Sequence, residues 1–158
     1  MADIFSGSEI VKIGIEIEKN GKDFYTKAAE KSESDKAKGL FNYLAAEEEK
    51  HITAFEKILD TLDQERPAES FPGEYVSYMK DLAGKYVFTR KDRGVKIAEG
   101  CKDDKEVIER SIGFENDSIV FYLGMRKAVP VAEHRVIDEL IDQEKTHLKK
   151  LSELRSNL

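Results

Sequence analysis

The sequence predicts an all-α fold, an antiparallel four-helix bundle with one long crossover between its second and third helices. Three observations predict it. The composition, rich in Glu, Lys, Ala, Leu and Ile with only three prolines in 158 residues, favours helix. Four long segments repeat apolar or small residues in alternating three- and four-residue steps, the spacing of a buried helical seam. Only a few residues join the first segment to the second and the third to the fourth, and short joints make antiparallel pairs.

The first helix is expected from about Ser8 to Lys31, with a seam of Val11, Gly14, Glu18, Gly21, Tyr25 and Ala28. The second is expected from about Asp35 to Leu62, capped by Ser34 or Asp35, with a seam of Phe41, Leu44, Glu48, His51, Phe55, Ile58 and Leu62. Residues 66–100 then break the pattern with Pro67, Pro72, Gly73, Gly84 and Gly94. A short helix is expected within SFPGEYVSYMKDLAGKYVF, residues 70–88. A helix of about 26 residues is about 39 Å long, and a connection of this length can span it. The third helix is expected from about Asp104 to Lys127, capped by Asp103 or Asp104, with a seam of Ile108, Ser111, Glu115, Ser118, Tyr122 and Met125. Pro130 separates it from the fourth, expected from about Ala132 to Leu154, whose seam is Ile137, Leu140, Glu144, His147, Leu151 and Leu154. Residues 1–158 are read as a single domain.

The two halves resemble each other. IEIEKNGKDFY (Ile15 to Tyr25) aligns with IGFENDSIVFY (Ile112 to Tyr122), and EEEKH (Glu47 to His51) aligns with QEKTH (Gln143 to His147). This reads as a duplicated helix pair about a pseudo-two-fold axis. Every seam is interrupted by a Glu near its middle, and the second and fourth seams carry a His three residues later. Facing seams bring four carboxylates and two imidazoles to one level of the bundle. A single unpaired buried carboxylate is costly, and four demand cations. Two divalent ions balance the charge. One Glu from each of two helices and a Glu-x-x-His from each of the others is the ligand set of dimetal carboxylate bundles. The candidate metal ligands are therefore Glu18, Glu48, His51, Glu115, Glu144 and His147.

A single Glu-x-x-His is weak by itself, since such a pair on an amphipathic helix is commonly a solvated ion pair. Its duplication within apolar seams gives it weight. His134 has no such neighbour and reads as a surface or capping residue. Glu47 and Glu49 read as solvated face, with Glu47 the nearer to the site. Tyr25 and Tyr122 lie two turns beyond Glu18 and Glu115 on the same face. Both core packing and donation of a hydroxyl to a ligand carboxylate fit them. Gly14, Gly21, Ser111 and Ser118 either admit close helix approach or leave space beside the metals.

The net charge of −6 offers no basic surplus for nucleic acid. No stretch approaches the roughly 20 apolar residues of a membrane span, and the N-terminus lacks a secretion signal, so a cytoplasmic location is expected. The lone Cys101 excludes an internal disulfide framework and reads as an inert thiol.

The pattern E-x6-Y followed by E-x-x-H, given twice across four helices, resembles the rubrerythrin and ferritin-like diiron-carboxylate superfamily over nearly the whole chain. The resemblance implies a ferritin-like bundle, the same six residues as ligands, Glu48 and Glu144 as the bridging pair, and two iron ions. Manganese or a mixed pair fits the same ligands. It implies reduction of peroxide or dioxygen, ferrous iron oxidation, or iron storage. Two departures stand out. Rubrerythrins carry a rubredoxin-like module with two CxxC pairs, whereas this chain has one cysteine; it looks like a stand-alone form served by a separate electron donor protein. Rubrerythrins also place an extra Glu where this chain has Ser118. The leading expectation is a diiron oxidoreductase. The rivals are non-enzymatic iron binding or storage, and a metal-stabilised helical interaction module. The superfamily often forms dimers, so a homodimer is expected, with Tyr75, Tyr78, Tyr86 and Phe88 available to cover another subunit.

Overall fold

The computed structural model describes residues 7–65, 75, 77–79, 81, 82 and 90–158. Among them all regular structure is helical: α1 (Gly7–Lys31), α2 (Asp35–Glu65), α3 (Arg93–Gly100), α4 (Asp104–Met125) and α5 (His134–Ser156). Helices α1 and α2 pack closely as one pair and α4 and α5 as the other, and α1 meets α4 while α2 meets α5. This is the four-helix bundle, with the expected long connection between the second and third of its long helices.

The ends follow local chemistry. Ser34 Oγ accepts from Ala37 N at 3.2 Å at the start of α2, and Asp103 Oδ1 accepts from Glu106 N at 2.8 Å at the start of α4. The third long helix ends at Met125 rather than near Lys127, because Arg126–Ala128 tighten into a 3-10 turn before Pro130. Val131–Glu133 form a second such turn, so the last helix starts at His134 rather than near Ala132. His134 Nε2 meets the carbonyl of Arg126 at 2.6 Å, which is the capping alternative of the two readings given to it. The second helix runs on to Glu65, beyond the expected Leu62.

Every seam position named from the sequence is buried. Phe24, Phe41, Phe55 and Phe121 have no exposed surface, and each such burial contributes about 1.5–3 kcal/mol. Gly14 makes room for the end of the Met125 side chain, whose Cε would lie 2.6 Å from a Cβ there.

The crossover differs from expectation in part. Tyr75, 77–79, 81 and 82 are helical, within the segment expected to hold a short helix. The remainder of 70–88, including Tyr86 and Phe88, lies outside the described residues. Tyr75 is half-buried and donates its hydroxyl to Gly124 O at 2.8 Å, so it serves this chain's own packing, whereas Tyr78 is exposed. Helix α3 was not expected, because Gly94 reads as a breaker within residues 66–100. Gly94 is there for close approach: a Cβ would lie 2.0 Å from Asn20 O. Asn20 on α1 fastens the junction, accepting from Gly94 N at 3.0 Å and donating to Arg90 O at 2.8 Å. Lys31 Nζ donates to the carbonyls of Ala98, Glu99 and Cys101 at 2.9 Å each, a cation on the C-terminus of α3.

Candidate metal centre

The four long helices carry Glu18, Glu48, Glu115 and Glu144 to one level of the core, none more than 5% exposed. His51 and His147, one turn beyond Glu48 and Glu144, lie parallel, 5.6 Å apart at their centroids and 15° from coplanar. Nδ1 of His51 stands 3.0 Å from Glu144 Oε1, 3.4 Å from Glu18 Oε2 and 3.8 Å from Glu48 Oε2. Nδ1 of His147 stands 3.1 Å from Glu144 Oε2, 3.5 Å from Glu115 Oε2 and 3.9 Å from Glu48 Oε1.

These atoms fall into two overlapping sets. One ligand atom from each of Glu18, Glu48, His51 and Glu144 lies within 4.8 Å of the others, and the same holds for Glu48, Glu115, Glu144 and His147. Glu48 and Glu144 belong to both sets. The structure thus brings together all six residues named from the sequence.

Glu18 Oε2, Glu115 Oε2, Glu144 Oε1 and His51 Nδ1 are buried without a hydrogen-bond partner among the described residues. Unsatisfied buried polar atoms of this kind cost about 1–3 kcal/mol each, and more when charged. Divided between the two overlapping sets, they fit cations of the kind nitrogen and carboxylate donors select. Electrostatics give the same answer. Burial pushes Glu144 well above the usual carboxylate range, and the Glu115 and Glu18 carboxylates push it further. Burial alone would lower His51, but the Glu18 and Glu144 carboxylates outweigh it and hold the imidazole up at about 11. Glu115 is held low despite its burial, by the neighbouring Glu144 and His147. The upward shifts of Glu144 and His51 both favour protons that offset part of the buried negative charge.

The hydroxyl alternative for the tyrosines is the one observed. Tyr25 Oη donates to Glu115 Oε1 at 2.7 Å, and Tyr122 Oη donates to Glu18 Oε1. The bonds cross the repeat, since each tyrosine serves the glutamate of the other half. Burial, then the neighbouring Glu115 and Glu18 respectively, raise both phenols well above their ordinary value, so both stay protonated donors. Gly21 places a would-be Cβ 3.5 Å from Glu48, leaving that carboxylate room.

The rubrerythrin family model matches residues 9–155. The chain belongs to the rubrerythrin family. Its fold is similar to the crystal structure of a candidate ferritin-like diiron-carboxylate protein from Thermotoga maritima, at a TM-score of 0.67 and 27% identity, over 99% of this chain and 98% of that one. Comparison with curated proteins gives no match. Family and geometry agree on a ferritin-like helical bundle whose buried carboxylates and histidines are able to hold metal ions. No described helix of this rubrerythrin-family chain is long and apolar enough to cross a membrane.

Sequence reasoning passed over Gln143. Its Oε1 lies 2.7 Å from Nε2 of His51, on the facing helix. The signal was available: Gln143 is the repeat's counterpart of Glu47. Glu49 faces solvent and pairs with Lys22 at 2.8 Å, as expected. Glu47 departs from the expected solvated face: its side chain is only 13% exposed, turned into the α2–α5 interface, and bonds Lys50 at 2.6 Å.

Proposed function

We propose that the protein is a dinuclear oxidoreductase of the rubrerythrin kind, holding two iron ions and reducing peroxide or dioxygen with electrons from a separate donor protein. The observation that carries this reading is the pair of overlapping ligand sets with Glu48 and Glu144 in common. Glu18 and His51 would complete one position, Glu115 and His147 the other. When bound, two ferrous ions supply the two electrons that, with two protons, turn hydrogen peroxide into two waters or dioxygen into hydrogen peroxide.

The chain's own residues do the rest. The carboxylates and imidazoles fix positions and neutralise charge. Tyr122 Oη and Tyr25 Oη hold one oxygen each of Glu18 and Glu115, which leaves the second oxygen of each turned toward the cluster. Phe55 packs edge-on to Tyr122 at 5.0 Å between ring centroids and helps keep water from the site. A homodimer and a cytoplasmic setting belong to the same proposal. Tyr78, Val120 and Leu123 leave apolar surface that a second copy can cover.

The test is a metal count and an oxidation. Protein loaded with iron anaerobically should hold about two ions per chain, as dinuclear sites do. Mixing it with hydrogen peroxide should produce a visible absorption band within the mixing time. An unchanged spectrum in a protein shown to hold two irons would refute the oxidoreductase reading.

A further inference from the structure

We propose that Gln143 and Glu47 are positioning residues that brace the two histidines from opposite helices, and that their chemical difference makes the two metal positions unequal in affinity. The proposal rests on the reading that the cluster holds metals. EEEKH and QEKTH are equivalent segments, so Glu47 and Gln143 occupy the same place, four residues before the histidine of their own helix. Gln143 Oε1 reaches across to Nε2 of His51 at 2.7 Å. An amide oxygen only accepts, so Nε2 donates, and Nδ1 is the nitrogen left to face Glu18, Glu48 and Glu144.

The other half offers the matching place for a bond. Nδ1 of His147 is engaged by Glu144 Oε2 at 3.1 Å, while Nε2 is buried with no hydrogen-bond partner among the described residues. A Glu47 carboxylate oxygen lies within 4.8 Å of a ring nitrogen of both His147 and His51. Glu47 is bonded instead to Lys50, whose side chain is 71% exposed. A pair whose cation stands in solvent is worth little, about 1 kcal/mol. A buried ring N–H without an acceptor costs about 1–3 kcal/mol. Once Nδ1 gives its lone pair to a metal, Nε2 must carry the proton. Leaving that proton without an acceptor costs more than giving up Lys50, so Glu47 turns inward. A carboxylate acceptor raises imidazole basicity more than an amide does. The position completed by Glu115 and His147 is therefore the tighter, and it fills first.

The full-length, metal-free protein is titrated anaerobically with cobalt(II), followed by visible absorption and calorimetry. A parallel zinc(II) titration is followed by NMR of 15N-labelled histidine rings. Two unequal binding steps are expected, with the His147 ring responding at the first equivalent and the His51 ring at the second. Glu47→Gln should weaken the first step by about 10–100-fold, the range typical of lost partners to ligating histidines. Gln143→Glu should strengthen the second step, and the double exchange should make His51 respond first. Two equal steps, or constants unmoved by both single variants, would overturn the inference while leaving the metal centre standing. No cobalt uptake by the unmodified protein would overturn both. Helicity and the metal-free melting temperature of each variant show whether a change in affinity is a loss of fold.

Discussion

Glu144 belongs to both ligand sets and Glu18 to only one, so their removal should differ in kind. Glu144 turns Oε1 to His51 at 3.0 Å and Oε2 to His147 at 3.1 Å. A ligand present at 100 times its dissociation constant stabilises the fold by about 2.7 kcal/mol per site, hence ~5 kcal/mol for two. A domain of this size gains about 2–4 °C in melting temperature per kcal/mol, so the metal-linked shift should be about 10–20 °C. In Glu18→Gln that shift should halve, with one ion retained. In Glu144→Gln it should all but vanish, because both positions lose a carboxylate. The assay is paired calorimetric scans with and without metal, alongside elemental analysis of dialysed protein. If Glu144→Gln keeps two ions, or keeps a shift as large as that of Glu18→Gln, the shared-carboxylate reasoning fails.

Two further outcomes follow from the same geometry. His51 has a folded pKa of about 11 against an ordinary value of 6.5, so its contribution to metal-free stability is full below 6.5 and is lost as pH rises toward 11. Glu144, also raised, has the same sign from the acid side. Each group can contribute a slope of up to about 1.4 kcal/mol per pH unit. Metal binding displaces those protons, so the metal-linked thermal shift should widen between about pH 6 and 8; a shift that narrows would contradict the proton count. Tyr122→Phe strips the hydroxyl from Glu18. It should cost about 1.5–3 kcal/mol, the worth of a hydrogen bond to a charged group, read as a drop in melting temperature of the metal-free protein.

Most of the bundle was legible because its signal is periodic. A seam in three- and four-residue steps fixes which face is buried, and Glu18, Glu48, Glu115 and Glu144 stood out as the wrong chemistry in the right places. Duplication removed the ambiguity of a lone Glu-x-x-His. Helix α3 was not legible, because Gly94 carries a low helix propensity that tertiary contact overrides. Only the backbone of α1 at Asn20 shows why Gly94 must be glycine. Gln143 was missed for a related reason. Its role depends on what faces it across the α2–α5 interface, and a one-dimensional pattern shows neighbours along a helix, not across the gap. The tyrosines fell between these cases: their face was plain from spacing, and their partners needed three dimensions.

The crossed tyrosine bonds bear on how such a chain can come into being. Tyr25 reaches into the second half and Tyr122 into the first. A gene for a single helix pair would therefore make a product whose acids find their hydroxyls only by meeting another copy. Joining two such units in one polypeptide turns a dilution-sensitive encounter into a permanent one. It also releases the copies from identity, so that a glutamate in one can stand opposite a glutamine in the other.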